Sequence, residues 1–342
     1  MSEPGIYLFA VAVSERFGSR LAIPALPAEY GDVETIVMDD IVALGSAYCG
    51  PAITEIPQAE VVRHLMMHQQ VIETAARRDY VLPVRLGTVI RDKAAVIQLL
   101  RAGSELIHDT SSRFEGHVEI DVAVTWELDQ VLKEVSGDPE VLSAKEAVGA
   151  APADQRSTLT LDVGRLVAAK LDERRACIQD TLLETLGPHV RDFQNNALVN
   201  DTLVCNTAFL IRAEDVDAFD SALRAVDADL AGRYNFRRVG PLPLYSFATL
   251  HVRELAQDRL EAARLLLKLP GDYDEATVDE SFRALAVVLH PDSNPGDEAA
   301  ADRFEQVARA RADLVAACRN RGSDTAPGPV LYLSVERSLG RT

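Results

Sequence analysis

Tyr80-Val81-Leu82-Pro83-Val84-Arg85-Leu86-Gly87-Thr88 is the stretch on which the reading of the fold turns. Its apolar run reads as a strand, yet Pro83 has no N–H to give to a ladder, which confines the strand to a sheet edge or a bulge. Arg85 interrupts that run, and a guanidinium buried there needs a carboxylate or carbonyls to offset its desolvation. A helix precedes the stretch. From Ala59 to Arg78, Val61, Val62, Leu65, Met66, Val71, Ile72 and Ala75 fall at the spacing of an amphipathic helix, which also carries His64 and His68. Far downstream a second proline-bearing stretch, Gly240-Pro241-Leu242-Pro243-Leu244-Tyr245-Ser246-Phe247, answers the first.

Working outward, Ile6–Val13, Val33–Met38 and Ile41–Cys49 read as strands bounded by Gly, Pro and Asp. Lys93–His108 restores helical spacing, with Asp92 as its N-cap. His117–Trp126 alternates as a strand, and we expect it to close a first α+β domain over residues 1–130. Gly137, Pro139, Gly149 and Pro152 lie among short helix-prone pieces between Lys133 and Arg156, which reads as the connection between domains. Leu161–Leu186 is a long helix stopped by Gly187-Pro188. Strand Thr202–Ile211, helix Glu214–Leu230, strands Phe236–Val239 and Ser246–Val252 and helix Glu254–Lys268 follow. Their order is that of part of a ferredoxin-like sandwich, expected over residues 155–268. The fold class is therefore α+β.

The chain has 342 residues, 47% of them apolar and 26% charged, a globular composition with room for two cores and a small third piece. Its 53 acidic against 35 basic residues give a formal charge of -18, which repels a phosphate backbone or an anionic membrane surface. Neither a nucleic-acid nor a membrane partner is expected. The start lacks a basic signal-peptide region and no apolar run is long enough to span a bilayer, so the expected location is cytoplasmic. Cys49, Cys177, Cys205 and Cys318 are scattered without metal-ligand or disulfide spacing and read as reduced thiols.

The sequence carries no recognisable catalytic constellation. His64 and His68 have the i, i+4 spacing that zinc proteases use, but the accompanying Glu is missing and no third ligand stands near. There is no Gly-rich phosphate loop, no nucleophile elbow and no framed carboxylate pair. We expect no catalytic residue, no metal, no cofactor and no enzyme activity.

The helix with its His, the V-L-P-V-R-L-G-T strand and the later G-P-L-P-L-Y-S-F segment resemble, in order and separation, the motifs of the gas-vesicle protein F/L family over about residues 5–255. Leu86 and Leu244 stand where that family often has an aromatic residue and a second proline. The F and L members share these motifs. The resemblance implies two α+β domains, the second of modified ferredoxin-like type, and an accessory or minor structural protein of the gas vesicle that acts in shell nucleation or assembly. It also implies a partnership with the small, very hydrophobic shell protein GvpA and other gas vesicle proteins. Arg85 would be paired within the fold or read the shell protein's surface. Tyr245 and Phe247 would be core residues of a strand or an aromatic patch for the partner. The mechanism suggested is capture of shell subunits on a strand edge, Tyr80–Leu86, and on apolar surface.

Past Pro270 a different pattern begins. Helix Asp279–Leu289, the loop His290-Pro291-Asp292-Ser293-Asn294-Pro295-Gly296-Asp297 and helix Ala299–Arg319 with Phe304 are similar to the central hairpin of a J-domain, over residues 270–320. In that family the His-Pro-Asp triplet contacts an Hsp70 chaperone, helped by lysines on the preceding helix. Here Ala284, Val288 and Ser293 occupy lysine positions and Arg283 is that helix's sole cation, which weakens docking to an acidic groove. The resemblance thus leaves two readings: a J-domain cochaperone that brings Hsp70 to a specific client through His290, Pro291 and Asp292, or a hairpin kept for stability or another contact. In the tail, 321–342, Val330–Val335 has strand propensity and would either complete a sheet edge in one of the α+β domains or be a free strand offered to a partner, which exposed apolar strands disfavour because they invite aggregation.

Overall fold

Antiparallel pairing and flanking helices make an α+β fold. The computed structural model describes residues 4–23, 26–230, 232–255, 257–289, 300–320 and 330–336. Along the chain run β1 (Gly5–Val13), β2 (Tyr30–Met38), β3 (Ile41–Tyr48), α1 (Gln58–Ala76), β4 (Leu82–Pro83), β5 (Val89–Ile90), α2 (Lys93–Ala102) and α3 (Ser104–Phe114). There follow β6 (His117–Trp126), α4 (Leu128–Ser136), α5 (Pro139–Ala150), α6 (Ala153–Leu186), β7 (Asp192–Asn195), β8 (Leu203–Arg212), α7 (Val216–Asp229) and β9 (Tyr234–Leu242). The last elements are β10 (Thr249–Leu255), α8 (Gln257–Leu266), α9 (Glu275–Leu289), α10 (Ala300–Asn320) and β11 (Val330–Glu336). The chain divides into two units. One holds the residues up to Glu115 and again Ala248–Glu336; the other is Gly116–Phe247.

In the first unit the strands are ordered β2-β3-β1-β4, with β5 also on β1. β1 is apolar and buried from Ile6 to Ala12 because it lies inside the sheet, flanked by β3 and by β4 and β5. Of the Tyr80–Leu86 stretch only Leu82 and Pro83 enter the ladder, opposite Val11 and Ala10. Pro83 sits on the outer strand, next to the register shift between Leu8 and Ala10 in the β1–β3 pairing. The edge is closed at the next residue. Val84 bridges Leu250 of β10 in parallel, and the Arg85 N–H donates to the Leu250 carbonyl at 2.9 Å.

Lys93–His108 is two helices. They part at Gly103, where an added Cβ would lie 2.6 Å from Leu333 Cδ1 of β11, so a close approach of side chain to backbone sets the break. Asp92 caps α2 as expected, its carboxylate accepting the Ala95 N–H at 2.7 Å.

The region after β10 holds a small helical core of Leu260, Leu267, Leu269, Tyr273, Val278 and Leu314, with Phe282 and Leu285 against it. The α9–α10 hairpin forms where the sequence puts it. The helix expected at Glu254–Lys268 starts at Gln257 and belongs to this helical core, not to the ferredoxin-like sheet. β11 pairs with β10 from Leu255↔Val330 to Thr249↔Glu336. Helices α8 to α10 are therefore an insertion between the paired strands β10 and β11.

The second unit is a four-stranded sheet ordered β7-β8-β6-β9, reached through β6, helices, β7, β8, α7 and β9. That connectivity and order are ferredoxin-like, modified by α4, α5 and the 34-residue α6. His117–Trp126 is an inner strand of this sheet, paired with β8 and β9, and so opens the second unit instead of closing a domain at residue 130. Lys133–Arg156 is not a connection. It forms the end of α4, all of α5 and the start of α6, and it buries Val135 and Val141 in the same core as Ile120, Val122, Phe209 and Phe219. Ser246–Val252 is not a strand of this sheet either, since Ser246 lies in a turn and Thr249 begins β10 of the first unit. β7, four residues long and mostly polar, carries no strand signal in the sequence.

Candidate functional site

Both family-like motifs are fastened by buried side chains. In the first unit, His68 lies on the α1 face that also buries His64, Val71, Ile72 and Ala75. It is 3% exposed. Its Nε2 is 2.9 Å from the Val84 carbonyl, which can only accept, so Nε2 carries the proton. Nδ1 then accepts from the Tyr7 hydroxyl at 3.1 Å, and that hydroxyl accepts the Gly87 N–H at 3.1 Å. Gly87 has φ +83, a conformation that favours glycine. One imidazole thus ties α1, β1 and both ends of the V-R-L-G segment. Burial pushes the His68 pKa down to about 4 and that of Tyr7 up to about 12, so both are neutral. His64 makes the parallel contact, 2.6 Å from the Tyr30 hydroxyl, and burial lowers its pKa as well. The i, i+4 histidines are a packing device within a Tyr7, Phe9, Tyr30 and Tyr48 cluster.

Arg85 is exposed, contrary to the expectation of a buried guanidinium. The strand ladder ends before it, which turns its side chain to water, and Nη1 lies 3.5 Å from His251 Nδ1. Among the described residues it makes no salt bridge, so the desolvation argument for a structural partner falls away.

In the second unit the G-P-L-P-L-Y-S-F motif is the end of β9 and the turn after it. The Gly240–Pro241 peptide is cis, Gly240 has φ +124, and a Cβ there would meet the Glu119 carbonyl at 2.7 Å. Glu119 of β6 grips the turn: Oε2 accepts the Ser246 N–H at 2.8 Å and Oε1 accepts the Ser246 hydroxyl at 2.9 Å. Glu119 is 2% exposed, and burial pushes its pKa up to about 8. Asp121, two residues along the same strand face, hydrogen-bonds the Glu119 carboxyl, and its own pKa is raised by burial. Phe247 is buried and Tyr245 half-buried, in a turn rather than a strand, so they do not make an exposed aromatic patch. Neither Glu119 nor Asp121 was picked out from sequence.

Exposed apolar residues cluster on α1, where Val62, Leu65 and Met66 are 48%, 38% and 67% exposed. Val62 and Met66 share a groove with Pro27, Ala59, Arg63 and Gln70. On α9, Val287 and Val288 are exposed, while cations of the helical insertion are engaged: Arg259 with Asp313, Arg264 with Glu261, Arg309 with Glu305 and Arg311 with Asp279. His290, Pro291 and Asp292 lie outside the described residues. Among the described residues no group of acids, histidines or cysteines is arranged to hold a metal, and no helix is long and apolar enough to cross a membrane.

Comparison with known proteins matches residues 5–249 to the family described as gas vesicle synthesis protein GvpL/GvpF, and residues 265–319 to the DnaJ domain. Gas vesicle protein F of Streptomyces sp. (strain CB03234) is 29% identical over 192 residues, covering 54% of this chain and 77% of that protein. Chaperone protein DnaJ of Synechococcus elongatus is 47% identical over 45 residues, 13% of this chain and 16% of that protein. The crystal structure of the gas vesicle protein GvpF from Anabaena sp. PCC7120 has the same fold, with a TM-score of 0.61 at 20% identity over 72% of this chain and 98% of that one.

Proposed function

This chain belongs to the gas vesicle synthesis protein GvpL/GvpF family, and on that premise we propose that it acts in nucleating or assembling the gas vesicle shell by binding the hydrophobic shell protein GvpA. The observation that carries the reading is the family match across residues 5–249, which spans both α+β units. The action is binding, not catalysis, and takes place in the cytoplasm at the growing vesicle.

Capture of shell subunits cannot use the Tyr80–Leu86 edge, which β1 and Leu250 occupy on its two sides. Two other features support capture. β9 is an outer strand nine residues long with no strand on its far side among the described residues, the condition for accepting an added strand. The exposed Val62, Leu65 and Met66 stripe on α1 offers an apolar helix face with adaptable methionine. Deletion of the gene, read by pressure-collapsible light scattering of host cells, tests the role: the collapsible signal should vanish. Charge substitutions at Val62 and Met66 and along β9 that left shell-protein binding intact would sink the capture mechanism.

The DnaJ match supports a second reading, a cochaperone that brings Hsp70 to shell subunits as its client. The two readings are compatible. In that case His290→Gln abolishes stimulation of Hsp70 ATP hydrolysis, and no effect of the whole protein on that rate rules the reading out.

A further inference from the structure

We infer that Glu119 and Asp121 form a proton-operated latch on the 243–247 turn, fastened while one proton is shared between the two carboxyls and released when both are ionised. The latch is independent of the shell-binding reading. Its geometry is complete within the second unit. Glu119 and Asp121 stand two apart on β6 and so point from the same face. With the proton on Glu119, its O–H donates to Asp121 while the two oxygens accept the N–H and O–H of Ser246. Among the described residues Asp121 Oδ1 is buried with no hydrogen-bond partner, so that oxygen has no donor to offset its charge; the Ser246 bonds favour an ionised Glu119, and burial outweighs them.

Other titratable groups on that face are placed by the ladder. His117 lies on β6 itself, Arg212 faces it on β8, Asp192 lies opposite Leu210 on β7, and Arg237 faces Ala123 from β9. Tyr245 is the titratable group of the turn. The strand neighbours directly across from Glu119 are Leu210 and Leu242, both apolar, and Ala208 faces Asp121. Arg237 is exposed and screened by water. Among the described residues Asp121 is thus the charge that acts on Glu119, and it has the same sign. The step is loss of the Glu119 proton to solvent, which places two carboxylates side by side with little water to separate them. Opening the turn hydrates them. The free energy stored in this way grows as pH rises from the ordinary Glu value of 4.5 towards about 8.

The test is amide hydrogen exchange at Ser246 in the full chain, corrected for the pH dependence of intrinsic exchange. Protection should fall about 30-fold between about pH 6.5 and about pH 9 in the wild type, from the two pKa values above. Glu119→Gln keeps an acceptor for Ser246 and a donor for Asp121, and its protection should stay flat within about threefold. A flat wild-type profile, or a variant that falls in parallel, overturns the latch. Should Glu119→Gln fail to fold, carbon-13 titration of glutamate carboxyls in the wild type decides: one midpoint near 8 is expected, and titration of every Glu in the ordinary acidic range overturns it.

Discussion

Replacing His68 by Leu separates the imidazole's hydrogen bonds from its packing, because Leu is apolar and of comparable size. At neutral pH the variant leaves the Val84 carbonyl and the Tyr7 hydroxyl without their partner at a site only 3% exposed. Each orphaned group costs about 1–3 kcal/mol, so we expect a loss of about 3 kcal/mol in the stability of the first unit. Acid should narrow that gap. The folded-state pKa of His68 is about 4 against 6.5 for the unfolded chain. The folded state therefore favours the neutral ring, and this contribution to stability is whole above 6.5 and lost as pH falls towards 4. Linkage gives a wild-type loss of about 2 kcal/mol at about pH 5, which the leucine variant does not suffer. His64 and the carboxylates titrate in both proteins and cancel in the difference. The assay is hydrogen exchange of the slowest β1 amides, which reports opening of this unit even though the chain has two. A gap that is equal at about pH 7 and about pH 5, within about 0.5 kcal/mol, would refute the assignment of His68 as a neutral buried link.

Gly240→Ala should destabilise the second unit by about 2–3 kcal/mol, since φ +124 and a Cβ 2.7 Å from the Glu119 carbonyl oppose any side chain; denaturant unfolding within about 0.5 kcal/mol of wild type would show that the backbone gives way. Arg259→Ala leaves the Asp313 carboxylate buried without its bidentate partner and should cost about 3 kcal/mol, seen as faster exchange along α10; unchanged exchange there contradicts it. Ala284→Lys with Val288→Lys restores cations to the exposed face of α9 and should raise stimulation of Hsp70 ATP hydrolysis several-fold, an effect that shrinks with added salt; no rise would mean that charge is not what limits docking.

Local periodicity made α1, β3, α6, α7 and the α9–α10 hairpin legible, because each satisfies its own pattern before any partner is considered. Partnership was harder to read. His117–Trp126 alternates cleanly, but alternation does not say which sheet a strand joins, and β6 finds its neighbours about 90 and 120 residues later. The same alternation puts Glu119 on the face that usually meets water; it is buried because the turn at Ser246 folds over it. Arg85 misled in the opposite direction, since apolar neighbours in sequence suggested burial while the end of the ladder turned it outward. His68 carried a usable signal: it shares a helix face with Val71, Ile72 and Ala75, where a histidine needs two partners and has no charge.

The pairing of β10 with β11 sets a clock on synthesis. About 75 residues lie between Leu255 and its partner Val330, which a ribosome adding roughly 5–20 residues per second makes in roughly 4–15 s. Helical turns form in about a microsecond, so α8 and α9 can take shape long before the strand that will lie beside β10 exists. For those seconds the nascent protein carries an uncompleted sheet next to its own DnaJ-like helices, and its residence in that open state is fixed by translation speed rather than by the stability of the finished fold.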